Sequence, residues 1–195
     1  MNLADIQYVP HFDLLAPQML FRVQRTRAGA GSVRIGRKLL LLPPSHLLCG
    51  RFDIAGQPVA YFAERPETAI YEAICRREAT GVSYALMARR SLLSVRTSAE
   101  VRLLDLRPHA PSWPVLQSLR FDQTQSLAAQ AHSAGFHGIV YRSAQQYGMD
   151  CFALWGLALT ALRRLSLEKL LEPGTGNLHG ALAMALNGSQ LPLLP

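Results

Sequence analysis

The stretch PVAYFAERPETAIYEAICRRE, residues 58–78, changes its period within a few positions. Pro58–Phe62 alternates and carries β formers, so it reads as a strand. Pro66 then stands where a first helical residue belongs. A proline there has no amide hydrogen to lose, and its fixed φ suits helix entry. Glu67 in the first turn complements the positive end of the helix dipole. The helix is predicted to run to about Glu78 and to stop before Gly81.

The remaining pattern is strand-rich. LFRV at 20–23 reads as a short strand carrying Arg22, and RTRAGAGSVRIGRK at 25–38 as a mobile Gly/Arg loop without a periodic apolar face. VSYALMA, LLSVRT and VRLLDL between residues 82 and 106 read as strands. The three prolines of 108–120 mark a loop with a short helix, and 122–135 reads as a helix capped by Gly135. HGIVYRS at 137–143 and DCFALWG at 150–156 read as strands joined by the turn AQQYG. The expected fold class is α+β, one domain with mixed or antiparallel sheets and flanking helices. An irregular arm is expected over 1–19, the main domain over 20–160 and a C-terminal extension over 161–195, where no motif can be placed.

Composition narrows the function classes. With 49% hydrophobic and 17% charged residues, the 195-residue chain can bury a core. Its formal net charge is +7, and 18 of its 20 basic residues are Arg. Arg presents a planar donor fork that fits phosphate, so the charge suits nucleic acid, a phosphorylated small molecule or an acidic partner; a solubilising surface accounts for it equally. Three cysteines without a CxxC, and six scattered histidines, argue against a disulfide framework and a metal site. No basic n-region precedes an apolar run at the N-terminus, and no apolar run reaches the roughly 18 residues of a membrane span, so a cytoplasmic protein is expected.

Four residues are candidates for chemistry. Glu72 lies among small and apolar neighbours on the predicted helix, where a carboxylate is costly unless paired; pairing with Arg76 one turn on is the plain alternative. Arg51 follows Gly50 and could approach a phosphate, or lie on the surface. Tyr61 could stack on a ring and still donate a hydrogen bond, or fill a core. Ser143, between strand and turn, could cap the turn or donate to a ligand.

Taken in order, GRFD, PVAYFAERPETAIYE and, far downstream, GIVYRSAQQYG resemble the RES domain, over roughly Leu20 to Trp155. The resemblance implies an ADP-ribosyltransferase-like fold and a toxin that degrades NAD by hydrolysis or phosphorolysis, neutralised by an Xre-type antitoxin. It implies no prosthetic group, with NAD as substrate and inorganic phosphate as a candidate co-substrate. The family's Arg, Glu and Ser fall on Arg51, Glu72 and Ser143; Tyr61 matches a tyrosine of the NAD pocket, and Arg22 an early arginine. In this reading Arg51 and Arg22 hold the pyrophosphate, Tyr61 lines the nicotinamide side, Glu72 stabilises the ribosyl cation and Ser143 positions a ribose or phosphate oxygen. Nucleic acid would be met only through the antitoxin, and a homo-oligomer is compatible with the apolar fraction. The alternatives are an ADP-ribosyltransferase that modifies one protein, a basic nucleic-acid-binding module without catalysis, and a non-catalytic partner-binding protein.

Overall fold

Alternation of apolar side chains along short strands produces two buried faces. A computed structural model describes residues 11–37, 39–172 and 174–195. In chain order the strands are β1 (His11–Leu14), β2 (Met19–Arg25), β3 (Val33–Ile35), β4 (Leu40–Leu42), β5 (Ala60–Ala63), β6 (Val82–Ser83), β7 (Arg90–Thr97), β8 (Val101–Asp105), β9 (Gly138–Arg142), β10 (Asp150–Leu154), β11 (Leu162–Lys169) and β12 (Leu193–Leu194). The helices are α1 (Pro66–Ala73), α2 (Tyr84–Ala88), α3 (Asp122–Ser133), α4 (Leu157–Thr160) and α5 (Gly180–Ser189).

Eight strands form one sheet in the order β1-β8-β9-β10-β5-β2-β7-β11. Every pairing in it is antiparallel except β8 with β9, whose connection passes through two 3-10 turns and α3. The period of two sends Ala63, Ile139, Tyr141, Cys151 and Ala153 to the face covered by α1, α3 and α5. Ala60, Phe62, Val140, Phe152 and Leu154 go to the opposite face, covered by Leu40 and Leu42 of β4 and by α4. The α+β class is thus as expected, with the sheet mixed and mostly antiparallel.

The pairing fails at one place. β2 pairs β7 through seven positions from Met19 to Arg25, but meets β5 only at Phe21 opposite Ala63. The sheet therefore opens between β2 and β5. Pro58, just before β5, has no amide hydrogen with which to extend that ladder.

Several local expectations are corrected. α1 ends at Ala73, not Glu78, because the Ile74 and Cys75 amides both donate to the Ile70 carbonyl and Ile74 leaves helical geometry. The Arg77 amide donates instead to the Gln145 side chain at 2.8 Å, so a tertiary partner replaces the helical one. VSYALMA is only briefly a strand: the Ser83 hydroxyl accepts from the Leu86 amide and starts α2. The 25–38 segment is not wholly a loop, since β3 within it pairs β4; Lys38 lies outside the described residues. Of the expected arm, residues 1–10 lie outside the described residues and β1 forms the sheet edge beside β8. Residues 162–169, expected in a C-terminal extension, supply the opposite edge strand, and α5 adds Leu182 and Leu186 to the core beneath α1.

One buried network went unforeseen. Arg107 grips Asp105 through two nitrogens at 2.9 and 2.7 Å, and reaches Asp150 with its third at 2.7 Å. Arg142 holds the other oxygen of Asp150 at 2.6 Å. These bonds, led by those to Asp105, hold the Arg107 guanidinium above its ordinary range against the opposing effect of burial. The network clamps the ends of β8, β9 and β10, just before the turn that carries Ser143.

Candidate functional site

The opening between β2 and β5 is continuous with a cavity of about 200 Å³. Arg22, Arg51, Tyr61, Glu72, Phe121 and Tyr141 are among its walls. Four of the five candidates thus meet in one place, though they are spread over 51 positions from Arg22 to Glu72. Ser143 is the exception, and is 2% exposed.

The Ser143 hydroxyl reaches Glu72. Its hydroxyl donates to Glu72 Oε1 at 2.5 Å and accepts from the amides of Gln145 and Gln146 at 3.1 and 2.9 Å. The hydroxyl is thus committed to the turn and to the carboxylate and is not among the cavity walls. The Ala144 amide adds a second bond to Oε1 at 3.1 Å, and the Gln145 amide a longer one at 3.4 Å. Thr68 donates to the Gln146 side chain at 2.7 Å, so the segment 143–146 is tied to α1 through Thr68 and Glu72 and, beyond the helix end, to the Arg77 amide. Glu72 Oε2 makes no hydrogen bond among the described residues, while the side chain lines the cavity. Nor does Glu72 pair with Arg76, whose partner is Glu78 at 2.5 Å.

Tyr61 is fixed by its hydroxyl. It donates to Asp53 Oδ1 at 2.8 Å and accepts from the Phe52 amide at 2.8 Å. It therefore offers the cavity its ring and not a donor. Burial first, and Asp53 next, push the phenol well above its ordinary range, so it stays neutral at physiological pH. Asp53 Oδ2 also accepts from the Gly50 amide at 2.6 Å. A Cβ on Gly50 would overlap Tyr61 Oη and stand 2.6 Å from Asp53 Oδ1, so close approach requires the glycine before Arg51. Asp53 was missed although it stands in GRFD, two residues beyond Arg51. Its carboxylate reaches back to an amide three residues earlier, a local side-chain-to-backbone bond, and the short Gly-to-Asp spacing is the one sequence sign of its role.

Arg51 is 8% exposed, and its Nη1 donates to the carbonyls of Leu116 and Ser118 at 2.8 and 2.5 Å. The guanidinium lies 5.4 Å from the centre of the Phe121 ring. It was expected as a free phosphate fork. One limb of that fork instead secures the 116–121 segment as a cavity wall, so only Nε and Nη2 are left for a ligand.

Arg22 has the opposite character. It donates once, from Nη1 to the Tyr61 carbonyl at 2.9 Å, across the opening in the sheet. Its Nε is buried without a partner. Burial is the main cause that pulls its guanidinium down to about 10, and no carboxylate forms an ion pair with it among the described residues. A half-buried cation left without a counter-ion among the described residues favours an anionic ligand. Arg76 also lines the cavity with a buried, unpartnered Nε and was not foreseen.

The three cysteines differ in exposure. Cys49 is exposed at the cavity rim, whereas Cys75 and Cys151 are buried. Burial pushes the thiols of both buried cysteines up. Iodoacetamide at neutral pH is therefore expected to modify Cys49 alone in the folded protein, read by peptide mass spectrometry. Equal modification of Cys151, which is 1% exposed on the cavity wall, would show that the cavity admits the reagent down to β10.

Among the described residues no group of three or more His, Cys, Asp or Glu side chains is arranged to hold a metal, and no helix is long and apolar enough to cross a membrane.

The fold and the cleft define a class: an α+β domain whose opened sheet sets a turn-held carboxylate and an arginine with no ion pair among the described residues on the walls of one cavity. The RES domain family model matches residues 20–170, and the chain belongs to this family. Among solved structures, a chain of the crystal structure of the M. tuberculosis MbcT–MbcA toxin–antitoxin complex shares the fold. The TM-score is 0.59 at 14% identity, covering 81% of this chain and 86% of that one. No curated protein sequence matches.

Proposed function

We propose that the protein is a toxin that cleaves the bond between nicotinamide and ribose in NAD. The observation that carries this is the Glu72 carboxylate, held by Ser143 and the Ala144 amide with its second oxygen unbonded in the cavity. Nicotinamide in NAD is a cationic leaving group. When the glycosidic bond breaks, its electron pair neutralises the ring nitrogen, and the ribose passes through an oxocarbenium-like state. A fixed carboxylate beside that ribose stabilises the positive charge as it develops. Arg22, with the free nitrogens of Arg51, would hold the pyrophosphate, and the Tyr61 ring would line the nicotinamide side. An oxygen of water or inorganic phosphate then bonds to the ribose carbon, water giving up a proton as it does so. NAD enters as substrate, and no prosthetic group is needed.

The toxin role rests on membership of the RES family and on the shared fold with a chain of the MbcT–MbcA toxin–antitoxin complex. An Xre-type antitoxin in the cytoplasm would then be the partner that keeps NAD intact.

The test is to incubate the purified protein with NAD, with and without inorganic phosphate, and to follow NAD, nicotinamide and the ribosyl product by chromatography. Loss of NAD is expected, and a phosphate requirement selects phosphorolysis over hydrolysis. Intact NAD in both buffers, with a mass increase on a cellular protein, would replace this reading by protein ADP-ribosylation.

Ser143→Ala is expected to lower kcat by about tenfold, because it removes one of the two shorter bonds that orient Glu72. The variant should leave KM for NAD within about twofold if Ser143 acts only by positioning. A rise in KM with kcat unchanged would return Ser143 to direct substrate contact.

A further inference from the structure

A second cavity of about 380 Å³ adjoins the first and shares Arg22, Val23 and Cys49 with it. Its walls come from the end of β2, the 25–32 loop, β4 with Pro43 and Pro44, and the first residue of β7. Arg22, Arg25, Arg27 and Arg90 line it, and no carboxylate does. The register of β2 on β7 sets Arg25 directly opposite Arg90. Like charges facing each other across a ladder repel. Burial first, and then Arg25, pull the Arg90 guanidinium down; Arg90 in turn acts against the charge on Arg22. None of the four arginines forms an ion pair among the described residues. A pocket that gathers one sign of charge without an internal counter-ion is complementary to an anion from outside.

The position of this cavity narrows the anion. If the first cavity holds the nicotinamide riboside and Arg22 at the seam holds the pyrophosphate, the adenosine half of the dinucleotide extends into the second. The adenosine of NAD is uncharged and leaves Arg25, Arg27 and Arg90 without a partner. An arginine beside the adenosine ribose is how dinucleotide sites accommodate a 2′-phosphate, and the guanidinium fork fits a phosphomonoester. We propose that the second cavity is a phosphomonoester subsite, so that the site binds 2′-phosphorylated dinucleotides more tightly than NAD itself. This rests on the NAD reading of the first cavity. A free phosphate has the same chemistry, but Glu72 is not among the walls of the second cavity, so an ion held there is not placed to attack the ribose.

Calorimetric titration of the purified protein with adenosine 2′,5′-bisphosphate, AMP and inorganic phosphate tests the subsite directly. The bisphosphate is expected to bind at least about tenfold more tightly than AMP, a difference of about 1.4 kcal/mol. In an Arg25→Ala/Arg27→Ala double variant the advantage should shrink to within about threefold. Both side chains are exposed, so their removal leaves the core intact. Equal binding of the two nucleotides, or an advantage that survives the double variant, would overturn the proposal. So would inorganic phosphate binding as tightly as the bisphosphate, which would mark a free-anion site. Cleavage of NAD by the same preparation separates the two readings. Cleavage without a bisphosphate preference removes the subsite alone, and a bisphosphate preference without cleavage of NAD or NADP removes the enzymatic reading alone.

Discussion

Glu72→Gln is expected to reduce NAD cleavage by about 10²-fold or more while leaving the protein folded. The amide retains an oxygen that can accept from Ser143 and the Ala144 amide, so the turn 144–148 keeps its anchor on α1. What disappears is the negative charge at the free oxygen. The carboxylate matters only as positive charge grows on the ribose, so the loss should fall on kcat and kcat/KM together. Single-turnover cleavage of NAD and a thermal melt of the same sample check this. A variant that melts like the parent and cleaves at more than about a tenth of its rate would remove Glu72 from the chemistry.

The second large effect concerns stability. Arg107→Ala is expected to destabilise the fold by about 3–5 kcal/mol, the cost of breaking a buried charged network from one side. Asp105 and Asp150, both buried, would lose the guanidinium between them, and Asp150 would keep only Arg142. For a domain of this size that is a fall of roughly 6–15 °C in Tm. Arg107 also lies 4.5 Å from the centre of the Phe12 ring, so the edge strand β1 should loosen with it. Denaturant unfolding gives the number, and a loss below about 1 kcal/mol would show that solvent compensates the two aspartates. Because the clamp ends beside Ser143, a destabilised Arg107→Ala protein should also hold Glu72 less precisely.

Sequence and structure divide the account unevenly. Pro66 announced the start of α1 because proline at a helix entry has a purely local reason, and the strand periods of β5, β9 and β10 survived for the same kind of reason. Gly138 shows where local reading stops. It heads β9, and a Cβ there would stand 2.6 Å from the Ala153 carbonyl, a fact that belongs to β10. Helix α1 stops short of Glu78 because Ile74 leaves helical geometry and the Arg77 amide finds Gln145, 68 residues on. VSYALMA was misread because one serine cap outweighed a strand-like alternation.

The site divides in the same way. Residue types and their order brought forward Arg51, Tyr61, Glu72 and Ser143, each beside a plainer alternative, and the resemblance to the RES domain added Arg22 and gave the five their roles. The identity of the partner is a long-range matter. Only the fold could assign the Ser143 hydroxyl to Glu72, spend one limb of Arg51 on Leu116 and Ser118, and leave Arg22 unpaired in the opening of the sheet. It alone could place Asp53 behind Tyr61 and set Arg25 against Arg90. The sequence by itself determined most element types and the chemical inventory, because propensity, capping and period act within a few residues. The tertiary structure decided which charges are satisfied and which remain free for a ligand, because that depends on groups tens of residues apart brought within 3 Å.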